Sequence, residues 1–352
     1  MTELGKVLSR IVPPAPDLGP RAQARLDQLT KPPGSLGRLE ELARRVVEIT
    51  GNDPPAIGRR VIFTLAADHG VVAEGVSAYP QVVTAQMLEN FLRGGAAINV
   101  LARHAGADIM VADLGVATPV SPRPGLVARR IGPGTRNMAR GPAMTRDEAV
   151  AAIEAGIGLV EAERCQGIDL VGTGEMGIGN TTAASAIAAA LTGAPVEAVT
   201  GRGTGIDEAT WRRKADVVRR ALEVNRPDPK DGLDVLAKVG GFEIGGLVGV
   251  ILAGAARRIP VVLDGFIAGA AALIAVTLRP EAAHCLLASH CSAEPGHRVI
   301  LERLGLRPYL DLEMRLGEGT GAALAFTLIE AAVRVYREMA TFKSAGVSER
   351  QP

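Results

Sequence analysis

Short apolar runs recur along the chain, each followed by a polar or glycine-rich stretch and then by a longer segment of helical spacing. Val61-Ile-Phe-Thr-Leu-Ala-Ala67 predicts a buried strand, followed by Asp68-His-Gly70 and a helix across roughly Val83 to His104. Asp108–Asp113 predicts a second strand. A helix from about Arg146 to Arg164 leads to a third at Asp169-Leu-Val-Gly172. Pro260–Asp264 and Ala283–Leu287 are later strands, separated by the Ala-rich helix Phe266–Leu278. Continuous rather than alternating apolarity means that both faces of each strand are covered, as in a parallel sheet between helices. The order strand–loop–helix predicts a doubly wound α/β fold, with ligands at the carboxyl ends of the strands.

The two ends of the chain read differently. Residues 1–28 and about 306–346 are helical in pattern, the latter through the amphipathic run Gly321–Met339. They are expected to pack together as a small helical domain beside a large α/β substrate-binding domain at 29–305. Residues 347–352, ending in Arg350-Gln-Pro352, are expected to form a flexible tail.

Composition narrows the function classes. The 352 residues carry 39 basic and 38 acidic side chains, so no charge footprint for nucleic acid or an anionic membrane is present. Aromatics at 3% argue against base-stacking platforms. The three cysteines, Cys165, Cys285 and Cys291, form no CxxC and read as reduced, in a cytoplasmic protein. His284-Cys285 and His290-Cys291 raise a metal site, but their spacing matches no zinc pattern; small, partly buried residues between a strand and a loop account for them. The N-terminus lacks the apolar core of a signal peptide. The most apolar stretch, Gly245 to Leu278, is interrupted by Arg257, Arg258 and Asp264, which leaves pieces too short to span a bilayer. A soluble protein is expected.

Polar chemistry gathers where strands end. Gly172-Thr-Gly-Glu175-Met-Gly-Ile-Gly179-Asn180 formally satisfies the dinucleotide fingerprint through Gly172, Gly174 and Gly177, with Glu197 suitably placed beyond. That makes a nicotinamide-dependent oxidoreductase one reading. Against it, good N-cap residues at Asn180-Thr181 start the helix late, so the loop is longer than the tight turn the fingerprint requires. A glycine loop feeding a helix still suits a phosphate. Gly201-Arg-Gly-Thr-Gly205 is a second such loop; Asp207 is expected to cap the next helix. Within it Lys214 is a candidate phosphate partner, while Arg212, Arg213, Arg219 and Arg220 read as a solvated face. Ser292 is a candidate cap for a later helix, with Glu294 in its first turn. Asp68 and His69 are adjacent in an extended run and so point apart, which argues against a simple dyad. In Arg315-Leu-Gly-Glu318-Gly-Thr-Gly321 a lone carboxylate sits between glycines ahead of an apolar helix. Glycines let a ligand approach closely, and a carboxylate in an apolar site drifts toward general-base duty.

Several segments occur together and in order: Lys31-Pro-Pro-Gly-Ser-Leu-Gly-Arg38, Ala67-Asp-His-Gly-Val-Val72, Gly172–Thr182, Lys238-Val-Gly-Gly-Phe242, Leu263-Asp-Gly-Phe266 and Arg315–Gly321. In these the chain resembles the nicotinate-nucleotide–dimethylbenzimidazole phosphoribosyltransferase family over about residues 15 to 340. The resemblance implies a Rossmann-like sheet, no cofactor, a homodimer, and transfer of ribose 5-phosphate from nicotinate mononucleotide to 5,6-dimethylbenzimidazole. The products are α-ribazole 5′-phosphate and nicotinate, for the lower ligand of cobalamin. Nicotinate leaves an N-glycosidic pyridinium, so its departure neutralises the ring nitrogen and needs no general acid; no pyrophosphate leaves, so no magnesium clamp is called for. One carboxylate suffices, to take the N–H proton of the incoming azole. The resemblance makes Glu318 that base, with inversion at the anomeric carbon. It places Glu175 in the active site and assigns the phosphate to Lys214, Ser292 and the amides of Gly177 and Gly265, with Asn180 and Asp264 as further substrate contacts. The acceptor pocket departs from the family pattern: Tyr79 and Met87 fall where some members carry serine and glutamine, with Gln81 and Gln86 close by. Adenine, other benzimidazoles or phenols therefore remain open as acceptors. A non-catalytic nucleotide- or base-binding protein is the third reading, and Glu318 separates it from an enzyme.

Overall fold

The computed structural model describes residues 2–348, so the expected tail at 347–352 lies outside the described residues from 349 onward. Six strands, β1 (Arg60–Ala67), β2 (Asp108–Gly115), β3 (Leu126–Ala128), β4 (Leu170–Met176), β5 (Val261–Leu263) and β6 (Leu286–Ala288), form one sheet in the order β3-β2-β1-β4-β5-β6. Every pairing is parallel. The fold is α/β and doubly wound, and its strand order reverses between β1 and β4, where a crevice opens beyond the strand ends. The central strands are largely apolar because helices cover both faces; Val61 to Ala67 are all buried.

On one face lie Arg146–Arg164 and Phe242–Ala256, whose backbones touch: a Cβ on Gly156 would sit 1.9 Å from the carbonyl oxygen of Gly246. On the other lies Thr320–Glu338, with Phe326 and Ala322 over Gly172 of β4. The expected single helix across Val83 to His104 is two, Val83–Arg93 and Ala97–Ala105. The break comes at Gly94, a left-handed cap with φ 77°.

The chain ends meet. Leu29 forms an antiparallel bridge with Thr341, and Arg25 Nε donates to the Tyr336 carbonyl at 3.0 Å. The first helix, Glu3–Arg10, instead turns Leu4 and Val7 toward Arg146–Arg164 and Phe242–Ala256. One buried apolar cluster runs without interruption from Leu4 to Tyr336. Among the described residues no helix is long and apolar enough to cross a membrane.

Candidate active site

A cavity of about 490 Å³ opens beyond the carboxyl ends of β4, β5 and β6. Its floor is the turn after β4. Glu175, near the strand's end, is 6% exposed, and its Oε2 accepts a short hydrogen bond from Asn180 Nδ2. Burial, reinforced by the neighbouring charges of Asp264 and Glu243, pushes the Glu175 carboxyl up to about 8. Gly177 rests on β1: a Cβ there would lie 2.4 Å from the Ala67 carbonyl oxygen. Ile178 N–H donates to Thr84 Oγ1 at 3.1 Å, and the helix Asn180–Thr192 begins immediately after Gly179.

The opposite wall carries the acid. Gly317, Glu318 and Gly319 have φ of 86°, 64° and 97°, three successive left-handed residues, of which only the glycines adopt that region without strain. The turn is pinned from outside: Thr64 Oγ1 donates to the Glu318 carbonyl at 3.1 Å, and Ile98 N–H reaches Glu318 Oε2 at 3.4 Å. The Glu318 carboxyl lines the cavity, and burial raises its pKa above the usual carboxylate range against the opposing pull of the Ile98 amide.

Asp264 braces that turn from the neighbouring strand end. Its carboxylate accepts from the amides of Gly319 (3.1 Å), Gly321 (2.7 Å) and Ala322 (3.3 Å), so both oxygens are taken by the first turn of Thr320–Glu338. Burial outweighs those three bonds and places its carboxyl at about 7. Lys214 does not line the cavity but lies behind Thr181, donating to Thr181 Oγ1 at 2.8 Å and to the Gly201 carbonyl at 3.4 Å. Burial lowers its ammonium to about 8, with Glu294 pulling the other way.

Glu175, Gly177, Asn180, Gly265, Ser292, Glu318, Tyr79 and Met87 all line the cavity. Gln81 and Gln86 do not, and Gln86 is exposed. Glu294, rather than Ser292, is the N-cap residue of Pro295–Leu304, yet its side chain leaves the helix to accept from Gly203 N–H at 2.8 Å. Asp207 caps its helix as expected, accepting from Thr210 N–H at 2.8 Å. His69 points away from Asp68 into a buried 2.6 Å contact with Glu243, directly under Gly177.

The sequence reading missed Thr181, His290, Glu294 and Leu316 as wall residues. A usable signal existed for two of them: His290 and Glu294 flank Ser292 in the run that follows β6. His290 is buried, and burial lowers its pKa against the opposing charge of Asp311. Neighbouring His297 accepts from Ser292 N–H at 2.9 Å and is held down at about 3 by burial. Of the His-Cys pairs, His284 is exposed and Cys285 buried; among the described residues no His, Cys, Asp and Glu group is arranged to hold a metal.

The dinucleotide fingerprint fails on position. Gly172 and Gly174 lie inside β4, where they admit Phe326 and the Glu318 turn rather than a pyrophosphate. Glu197, which would hold a ribose, pairs with Arg219 at 2.8 Å on the surface.

A phosphoribosyltransferase family model matches residues 11–347. The chain belongs to the nicotinate-nucleotide–dimethylbenzimidazole phosphoribosyltransferase family. It is 59% identical over 349 residues to the enzyme of that name from Geobacter sulfurreducens, covering 99% of each chain. The Chloroflexus aggregans enzyme is 57% identical over 351 residues, covering 100% of this chain and 99% of the relative. Among solved structures, CobT from Thermus thermophilus superimposes with a TM-score of 0.92 at 51% identity, covering 95% of this chain and 100% of the other. The family's fold is the doubly wound sheet described above.

Proposed function

We propose that the protein transfers the ribose 5-phosphate of nicotinate mononucleotide to 5,6-dimethylbenzimidazole or a related base, yielding α-ribazole 5′-phosphate and nicotinate with inversion, in synthesis of the lower ligand of cobalamin. One observation supports this reading above the rest: a buried carboxyl, Glu318, is presented on a left-handed turn at the wall of a largely apolar cavity whose floor is a glycine loop and a helix N-terminus. Tyr79, Met87 and Leu316 offer apolar surface to a planar base. Glu318 takes the azole proton as the second nitrogen attacks the anomeric carbon. Its raised pKa makes the ionised form a better base than an exposed carboxylate. Nicotinate leaves as its ring nitrogen regains its electron pair. The phosphate lies toward Gly177, Gly265 and Ser292, where backbone amides and a hydroxyl can donate.

In this reading residues 29–305 supply the substrate walls and 306–346 bring Glu318. The protein works as a cytoplasmic homodimer; light scattering after gel filtration tests the dimer. The activity is tested by incubating the protein with nicotinate mononucleotide and a panel of benzimidazoles, adenine and phenols, assaying nicotinate and the new nucleotide. Absence of product with every base removes the proposal.

A further inference from the structure

Two segments of the sequence, Ala67-Asp-His-Gly-Val-Val72 and Lys238-Val-Gly-Gly-Phe242, meet inside the protein without lining the cavity. His69 of the first and Glu243, next after the second, join through Nε2 and Oε1 at 2.6 Å, with side chains 1% and 0% exposed. Glu243 Oε2 has no hydrogen-bond partner among the described residues. Both turns beside the pair leave it the room of a missing side chain. A Cβ on Gly241 would lie 2.3 Å from His69 Cε1 and 2.7 Å from Glu243 Oε2; one on Gly177 would lie 3.1 Å from Glu243 Oε1 and 3.4 Å from His69 Cδ2. Four more carboxyls are buried at these strand ends, Asp68, Glu175, Asp264 and Glu318, against the imidazoles of His69, His290 and His297. Among the described residues only His69 of these imidazoles contacts a carboxylate. The charged groups on the surrounding elements are paired elsewhere: Asp113 with Arg130 at 2.6 Å, Lys238 with Asp234 at 2.8 Å and Glu148 with Arg136 at 2.8 Å. An imidazole and a carboxylate in contact titrate as a pair, and with one proton between them the pair is neutral however that proton is divided. At Asp68, where burial is the leading cause of a raised carboxyl, His69 and Glu243 pull in opposite directions. At Glu175, burial, then Asp264, then Glu243 push the carboxyl up.

We infer that His69 and Glu243 are positioning residues for the transfer: locked between the Gly241 turn and the turn that follows Glu175, they hold the end of β4 and set the charge of Glu175 while touching no substrate. The inference rests on the transfer proposed above and gives a task to two segments that it leaves idle. Removing the imidazole strands an unbalanced acid near Glu175; removing the acid relieves Glu175 of a like charge. The two halves of the pair thus act on Glu175 with opposite signs, which a purely mechanical brace does not do.

Carbon-13 NMR of the full-length protein labelled at its glutamate carboxyls tests this, with the Glu175 resonance assigned by its loss in Glu175→Gln. Glu243→Gln, which keeps the shape and a hydrogen bond to the imidazole, is expected to lower the titration midpoint of Glu175 by about one pH unit, the scale of a nearby like charge. His69→Gln is expected to raise it. The double variant, whose two amides carry no charge, is expected to fall between the single ones. In steady-state assays with nicotinate mononucleotide and 5,6-dimethylbenzimidazole, the pH profile of kcat is expected to move in the same directions, with KM for the mononucleotide unchanged. Midpoints that stay put, or that both single variants shift the same way, overturn the inference, as does a kcat profile that does not follow them. If His69→Gln does not fold, Glu243→Gln decides alone. A parent protein that turns over no acceptor overturns the transfer reading itself, a result separate from the NMR titration.

Discussion

A methyl group on Gly174 would lie 2.4 Å from the carbonyl oxygen of Glu318. Gly174 sits in register with Thr64 on the neighbouring strand, and Thr64 Oγ1 donates to that same carbonyl. Two adjacent strand positions thus cradle the backbone of the proposed base, one by leaving space and the other by hydrogen bonding. Gly174→Ala is expected to displace the turn, costing about 1–3 kcal/mol of stability by overpacking and lowering kcat with it. Chemical denaturation and steady-state kinetics together check this; unchanged values in both would show that the turn yields freely.

Removal of the carboxylate alone is expected to spare binding. Glu318→Gln keeps the shape and the contact with Ile98 N–H. The donor should bind as in the parent while kcat falls by roughly 10²–10⁴-fold, the usual worth of a positioned base. Turnover near the parental rate would take Glu318 out of the proton transfer.

Asp264 is the hand on the other side of that turn. Asp264→Asn replaces one acceptor oxygen by an amide that cannot accept from a backbone N–H, at a cost of about 1–3 kcal/mol. Because the amide of Gly319 is directly joined to Glu318, the expected signature is a fall in kcat of up to about 100-fold, the scale of a small misplacement, with little change in KM for the donor. A loss confined to KM would instead place Asp264 against the substrate.

Acidity should leave a mark on stability through Glu175. Its carboxyl stands at about 8 in the folded protein against 4.5 ordinarily. Between those values the folded chain holds a proton that the unfolded chain has released, so this group makes stability fall as pH rises through the window. The slope is on the order of 1.4 kcal/mol per pH unit. Glu175→Gln removes the titration. Relative to the parent, its Tm is expected to rise progressively from pH 5 to pH 8. A Tm difference independent of pH would mean that Glu175 is ionised in the folded state.

Much of the architecture was legible because buried parallel strands write themselves as unbroken apolar runs; the strand proposed at Val61–Ala67 is β1 less Arg60. The helix expected from Val83 to His104 failed where Gly94 and Gly95 interrupt an otherwise continuous periodicity. In the cavity, the residues with strong local signals, Glu318 between its glycines and Asn180 at a helix start, were findable. For Asp264 and Lys214 the sequence offers less, since a charged side chain near a glycine loop carries no mark of whether it faces the ligand or the wall. Their partners, Gly319 and Thr181, come from distant segments that only the fold brings near. Gly172 and Gly174 misled for the same reason: a pattern fit for pyrophosphate was serving the approach of Phe326 and Glu318.

The helix Thr320–Glu338 covers β1, β4 and β5 and brings the acid with it. During synthesis the strands therefore leave the ribosome well before their cover, and the central sheet waits with an apolar face open until nearly the whole chain has been made. Completion of that face and arming of the cavity are then a single event. A chain cut short before Thr320 would carry Glu318 but lack the helix whose first turn Asp264 grips, leaving the acid without its anchor and the sheet without part of its cover.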